Sequence, residues 1–208
     1  MPKDTFLNLP EEKRRLIEDV ALDEFAEYGF DKASINRIVK TAGIAKGSFY
    51  QYFEEKADLF KHILMLVEQK KAEYISPVML NPADHDFFTL LEELYRSGLV
   101  FAKDHPKVSK IGFEVYKNQT NPLFEEIFKE SRRLGYAFYV SLLDMGITRR
   151  EIDPEIDKPF TIHMLMQLQL ASIDFYLQNN EQGLWDDDFM PTIHLMINFI
   201  KNGIQRQK

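Results

Sequence analysis

The chain has 208 residues, of which 45% are hydrophobic and 28% charged, and its formal net charge is −7. This composition supplies enough apolar material for a sizeable core and excludes a disordered or fibrous chain. Cysteine is absent, which excludes disulfides, thiolate zinc sites, iron–sulfur clusters and cysteine nucleophiles.

The chain shows no segment that would carry it into or across a membrane. Its first residues, MPKDTFLNLPEEKRR, lack the apolar run of a signal peptide. The longest stretch without Asp, Glu, Lys or Arg covers residues 159–173, which is shorter than the ~20 apolar residues that a spanning helix needs. We therefore expect a soluble, cytoplasmic protein with no membrane partner.

The charge distribution is more informative than the total. A net negative charge argues against nucleic-acid binding, because phosphate binding usually requires a basic surface. Residues 32–53, however, contain no acidic side chain and carry four basic ones, Lys32, Arg37, Lys40 and Lys46. Because a solvated helix face has the same composition, this window does not by itself indicate DNA binding.

Apolar residues recur with helical spacing along the chain, and no stretch shows a persuasive strand pattern. The first helix is predicted over residues 10–28 and ends at Gly29. A second begins at Ser34 as N-cap and stops at Gly43, and a third, short helix covers residues 45–53. Further helices are predicted at 56–74, 87–104, 107–117, 122–145, 158–180 and 188–204, with residues 76–86 as a connection. The fold class is all-α.

The second and third helices form a candidate helix-turn-helix. This motif needs a residue free to adopt positive φ in the turn and an apolar residue that plugs it, for which Gly43 and Ile44 are suited. Phe49 and Phe53 would then point inward. The opposite face of the third helix would expose polar side chains, namely Lys46, Ser48, Tyr50 and Gln51.

The segment SINRIVKTAGIAKGSFYQYFEEK, residues 34–56, strongly resembles the DNA-binding domain of the TetR (tetracycline-repressor) family. The matching positions are Ser34, Ile38, Ala42, Gly43, Ile44, Lys46, Gly47, Ser48, Phe49, Tyr50, Tyr52, Phe53, Lys56 and Leu59. The resemblance implies a helix-turn-helix DNA-binding domain over residues 1–55 and a larger helical ligand-binding and dimerisation domain over 56–208. Ala45 and Glu55 depart from the family pattern, because capping side chains are common at these two positions. An N-terminal arm with a single Lys is also a poor minor-groove probe.

The resemblance implies a transcriptional regulator that binds a palindromic operator in double-stranded DNA. The DNA-binding residues would be Ser34, Asn36, Arg37, Ala45, Lys46, Gly47, Ser48, Tyr50, Gln51, Tyr52 and Lys56. Lys46 could contact guanine or phosphate and Gln51 could contact adenine, while Gly47 allows close approach of the backbone. The hydroxyls of Ser48, Tyr50 and Tyr52, with Ser34 and Lys56, suit phosphate oxygens. For Asn36, Arg37 and Gln51 an ordinary solvated position is an equal alternative.

The C-terminal part would form a homodimer through its last two helices and would bind a small hydrophobic effector. Most of its aromatic residues are expected to be core, and the candidate polar anchors for the effector are Tyr95, Tyr116, Tyr139, His163 and Gln167. Effector binding would lower operator affinity by shifting the dimer between two conformations. No cofactor or metal is expected, because the five histidines show no paired ligand spacing.

Two alternatives belong to other classes of protein. A carboxylate-bridged metal enzyme on a helical bundle needs Glu-x-x-His pairs, and no histidine of this chain follows a glutamate at that spacing. The other is a helical lipid- or drug-binding protein without operator binding. A DNA-binding experiment separates it from the regulator.

Overall fold

The computed structural model describes residues 1–118, 122–180 and 189–204, and within these ranges the regular structure is helical, with no β-strand. The helices are α1 (Asp4–Leu7), α2 (Glu11–Lys32), α3 (Ile35–Thr41), α4 (Lys46–Tyr52), α5 (Lys56–Ala72), α6 (Pro77–Leu80), α7 (Phe87–Asp104), α8 (Pro106–Lys117), α9 (Pro122–Thr148), α10 (Lys158–Asn179) and α11 (Phe189–Ile204), with a 3₁₀ turn at Pro82–Asp84. The all-α prediction is confirmed.

The predicted helices are present, with ends that differ by a few residues. Helices α1 and α6 and the 3₁₀ turn were not predicted, and residues 76–86 are therefore more than a plain connection. A helix of four residues spans about one turn, which is too short to show a repeating apolar pattern.

Helix α2 is interrupted at the glycine predicted to end it. Gly29 has φ 69° and ψ 169°, and a last turn then follows to Lys32. This left-handed conformation is accessible to glycine at little cost. The break redirects the chain toward α3.

The chain forms two compact units. The first comprises Met1–Glu73 and His105–Ile127, and the second comprises Tyr74–Asp104 and Phe128–Lys208. These units do not follow the predicted boundary after residue 55, because α5 and α8 both pack against α2 in the first unit. Whether residues 1–55 form a domain on their own stays a prediction.

The first unit has an aromatic core. Helix α2 contributes Ile17, Ala21 and Phe25, each at most 1% exposed. The Phe25 ring meets the ring of Phe60 of α5 edge-on at 4.8 Å between centroids. Phe60 in turn contacts Phe124 of α9 at 5.8 Å. Each large apolar side chain contributes about 1.5–3 kcal/mol through burial. This core therefore stabilises α2, against which the short helix α3 packs.

The second unit has its own core, in which α11 packs against α7 and α10. Its buried residues include Phe87, Leu90, Leu91, Leu99, Leu142, Leu143, Ile152, Ile162, Leu165, Ile193, Ile197 and Ile200. Asp86 starts α7 by accepting hydrogen bonds from the N–H groups of Phe88 and Thr89 at 2.9 and 3.1 Å. Among the described residues no helix is both long and apolar enough to cross a bilayer.

Candidate DNA-binding interface

The turn between α3 and α4 has the hydrogen bonds of a Schellman motif. The N–H of Gly43 donates to the carbonyl of Lys40 at 3.3 Å, and the N–H of Ile44 donates to that of Val39 at 3.0 Å. Gly43 has φ 64°, as the helix-turn-helix prediction required. This turn sets the direction in which α4 leaves α3.

Helix α4 presents one apolar and one polar face, as predicted. Phe49 and Phe53 are both 0% exposed, and their rings contact each other at 5.7 Å. Tyr50 is 46% exposed, and its ring meets the ring of Phe49 edge-on at 5.3 Å. Four other predicted DNA-binding residues of this segment are exposed, namely Ala45, Lys46, Gly47 and Gln51. Ser48 is half-buried.

The first residues of the chain fix the C-terminal end of α4. Lys3 donates its backbone N–H to the carbonyl of Tyr52 at 2.8 Å and its Nζ to that of Tyr50 at 3.1 Å. The Thr5 hydroxyl donates to the carbonyl of Gln51. Phe6 is fully buried, with its ring 4.7 Å from that of Phe53. These N-terminal residues, which the sequence analysis judged poorly suited to probe the minor groove, hold the last turn of α4.

Two glycines of this region can be separated by experiment. A Cβ at Gly43 would be strained by the positive φ, whereas a Cβ at Gly47 would meet nothing within 4 Å. We expect Gly43→Ala to destabilise the protein by about 1–2 kcal/mol. Gly47→Ala should keep or raise stability, since alanine favours helix over glycine by about 0.5–1 kcal/mol, and should weaken operator binding. Thermal unfolding and DNA titration of both variants test this, and equal unfolding midpoints would contradict it.

The predicted residues of α3 have different environments. Ser34 is the N-cap, but its side chain makes no capping hydrogen bond. Asn36 is exposed. The Arg37 side chain is 46% exposed, but its guanidinium is hydrogen-bonded within the protein. Its Nε donates to Glu24 Oε1 at 2.8 Å and its Nη2 donates to the carbonyl of Lys32 at 2.8 Å. The hydrogen bond to Glu24 raises the pKa of the Arg37 guanidinium above its ordinary value.

Tyr52 and Lys56, both predicted to contact phosphate, make contacts within the protein. Tyr52 is only 7% exposed, with its ring 5.9 Å from that of Phe6. The Lys56 Nζ donates to the carbonyls of Asp31 and Ala33 at 3.1 and 3.0 Å. Tyr52 is thus buried and the Lys56 ammonium is hydrogen-bonded to the backbone, and phosphate contact by either residue stays a prediction.

Glu24 is a residue that the sequence analysis missed. Its side chain is 7% exposed, and it lies on the same stripe of α2 as the buried Ile17 and Ala21. A buried carboxylate on an apolar stripe signals a partner of opposite charge, since an unpaired buried charge is costly. Arg37 of the acid-free window is that partner.

The four candidate effector anchors with described side chains do not converge on one site. Tyr95 and Tyr139 are buried, with their hydroxyl oxygens 3.1 Å apart in a mutual hydrogen bond, and burial raises the pKa of both phenols. His163 and Gln167 lie on the exposed side of α10. Tyr116 belongs to α8, and its side chain falls outside what the structure describes. Among the candidate anchors whose side chains the structure describes, only Tyr95 and Tyr139 are brought together.

No group of three or more His, Cys, Asp or Glu side chains arranged to hold a metal ion occurs within the part of the chain that the structure describes. A short helix with an exposed polar face, fixed by a tight glycine turn and a phenylalanine core, defines a helix-turn-helix DNA-binding protein.

Comparison with known proteins agrees with this class. The family described as "Bacterial regulatory proteins, tetR family" matches residues 17–63, which include α3 and α4. The HTH-type transcriptional regulator YhgD of Bacillus subtilis is 24% identical over 166 residues, covering 78% of this chain and 83% of that protein. In residues 17–63 the chain therefore matches the TetR family of transcriptional regulators, and over most of its length it is similar to proteins of that kind.

Solved structures extend the likeness to the whole chain. A TetR-family regulator of Chloroflexus aurantiacus is 29% identical, with a TM-score of 0.68 and complete coverage of both chains. The regulator FadR of Bacillus subtilis, in complex with stearoyl-CoA, has a TM-score of 0.72 at 18% identity, covering 91% of this chain and 98% of that one. The latter comparison shows the common fold.

Proposed function

We propose that the protein is a homodimeric repressor that binds a palindromic operator through α4 and leaves it when a small apolar effector binds. The observation that carries the proposal is the exposed polar face of α4 over its buried phenylalanines. Such a face fits the major groove of DNA, where base edges can be read. Repression is the commoner role in the family.

The set of residues proposed to contact DNA is smaller than the set that the sequence analysis predicted. Lys46, Gly47, Tyr50 and Gln51 are exposed on one short helix, and Ser48 lies between them, half-buried. Ser34, Asn36 and Ala45 stay candidates at the starts of α3 and α4. The internal hydrogen bonds of Arg37 and Lys56 and the burial of Tyr52 argue against phosphate contacts by these three residues.

An apolar face on the last two helices supports the homodimer. Its large exposed side chains are Phe160, Met164 and Phe175 of α10 and Leu195 and Phe199 of α11, exposed by 37–68%. Helices α10 and α11 pack against each other. Monomeric proteins rarely expose this many large apolar side chains on adjacent elements. A second copy related by a twofold axis would cover them.

An effector site in the second unit is supported by its apolar interior and by the bound stearoyl-CoA of the structurally similar FadR. Tyr95 and Tyr139 are the best placed polar anchors, because their hydroxyls already meet inside this interior. Operator binding titrated with long-chain acyl compounds tests the proposal. A bound acyl compound that leaves operator affinity unchanged would exclude it as the effector.

Selection of bound DNA from a random pool tests DNA recognition directly. We expect the selected sequences to contain an inverted repeat whose half-sites lie about one helical turn apart or slightly more. Recovery of a single unrepeated half-site would contradict DNA binding by a dimer with two α4 helices. Failure to enrich any sequence would favour a helical binding protein without an operator.

A further inference from the structure

The turn between α2 and α3 is held by three charged side chains of the first unit. Glu24 lies on α2, Arg37 on α3 and Lys56 at the start of α5. We refer to Glu24, Arg37 and Lys56 as the turn clamp. Each of the three contacts the backbone of the turn, and Glu24 and Arg37 also contact each other, so their arrangement bears on where α3 begins.

The buried carboxylate of Glu24 joins the start of α3 to α2. Its Oε1 accepts the backbone N–H of Ser34 at 2.7 Å and the Arg37 Nη2 at 2.5 Å. The Arg37 Nε lies 2.8 and 3.1 Å from the two carboxylate oxygens. A glutamate at the third position of a helix commonly accepts the N–H of the N-cap residue. Here a glutamate of the preceding helix does so.

The side chains of Arg37 and Lys56 donate hydrogen bonds to the backbone carbonyls of the turn. Arg37 donates to the carbonyl of Lys32, and Lys56 donates to those of Asp31 and Ala33, so three consecutive carbonyls each accept a charged donor. The Arg37 guanidinium also lies 4.1 Å from the ring centre of Tyr28, and the Lys56 Nζ lies 4.7 Å from that of Phe30. Charged donors suit the C-terminal end of a helix, where carbonyls are left unpaired.

We infer that Glu24, Arg37 and Lys56 act as positioning residues for operator binding: they set α3 against α2 and thereby place α4, without touching DNA themselves. The inference rests on the proposed DNA-binding function. It assigns two of the basic side chains of the chain's DNA-binding region to internal contacts. It also gives the buried Glu24 a role in a protein whose ligand is a polyanion.

The sign of the effect of Glu24→Gln separates this inference from its opposite. If Arg37 were a phosphate contact restrained by Glu24, removing the negative charge would release it and tighten operator binding. If Arg37 is a positioning residue, the same substitution loosens α3 and weakens binding by roughly tenfold or more, the scale of a hydrogen bond to a charged group. The loss of a negative charge near DNA would by itself favour binding, so weakening is a stringent result.

The experiment measures operator affinity over a series of salt concentrations for wild type, Glu24→Gln, Arg37→Gln, Arg37→Lys, Lys56→Met and the double variant Glu24→Gln/Arg37→Gln. We expect every variant to bind more weakly, the double variant to bind no more weakly than Arg37→Gln, and the salt slope to stay at its wild-type value. Arg37→Lys should fail to rescue, because lysine lacks the planar fork that serves Glu24 and Lys32 together. Glu27→Gln, which changes an exposed carboxylate of α2, is the matched control and should bind like wild type.

Three results would overturn the inference. They are tighter binding by Glu24→Gln, restored affinity in Arg37→Lys, and a salt slope that falls by about 0.9 for each phosphate that the variant no longer neutralises. Amide hydrogen exchange of the free protein reads the same positions without DNA, and we expect Glu24→Gln to speed exchange at Ser34 and along α3. If wild type binds no DNA, the proposed function fails by itself. Unchanged exchange in Glu24→Gln would then still count against the clamp.

Discussion

Lys46→Ala is expected to weaken operator binding by about 1–3 kcal/mol per half-site, because it removes a cation from the exposed face of α4. Tyr50→Ala should have a comparable effect. The Tyr50 ring rests on Phe49, so Tyr50→Phe keeps the ring and removes only the hydroxyl. Fluorescence anisotropy with the selected operator measures each affinity. Dimerisation should be unchanged, which sedimentation can verify.

The salt dependence adds a second test of Lys46. A lysine bound to phosphate contributes about one unit to the slope of log affinity against log salt concentration, so Lys46→Ala should flatten that slope. Lys129→Ala is the matched control, because Lys129 is an exposed lysine of α9 that is distant in sequence from α4. Wild-type affinity in both Lys46→Ala and Tyr50→Ala would show that the proposed contact residues are wrong.

Phe199→Glu and Leu195→Glu are expected to convert the dimer into a monomer. These side chains are 68% and 67% exposed on α11, and a carboxylate at a buried interface would lack a partner. A monomer has only one α4 helix to bind the operator. Its operator affinity should be lower by about 10²–10⁴-fold, because linking two binding modules usually raises affinity by this factor. Analytical ultracentrifugation and DNA titration of the same samples measure both effects.

The matched control for the dimer is Leu134→Glu. Leu134 of α9 is 56% exposed, so the substitution introduces the same charge at a similarly exposed leucine outside the face on α10 and α11. We expect it to remain dimeric and to bind the operator like wild type. A Phe199→Glu variant that stays dimeric would place the interface elsewhere on the chain.

Much of the fold could be predicted because it depends on local patterns. Helical periodicity located the long helices, and Gly43 marked the turn because few other residues tolerate its φ of 64°. The inward position of Phe49 and Phe53 also followed from spacing on one helix. In each case the information lies within a few residues of the chain.

The environment of the basic side chains could not be predicted in the same way. The sequence analysis predicted that Arg37 and Lys56 contact DNA. In the structure both donate hydrogen bonds to acceptors that lie 5 to 25 positions away along the chain. Whether a lysine binds phosphate or a backbone carbonyl depends on which turn the fold brings near it. The buried Glu24 was the one local signal, since a carboxylate on an apolar stripe requires a cation.

The fastening of α4 by Lys3, Thr5 and Phe6 has a practical consequence for handling the protein. Proteolytic trimming of the first seven residues would leave the carbonyls of Tyr50, Gln51 and Tyr52 without these donors and uncover Phe53. A trimmed preparation would keep every side chain assigned to the groove and still bind poorly. Mass spectrometry of the intact N-terminus should therefore precede any comparison of affinities between preparations.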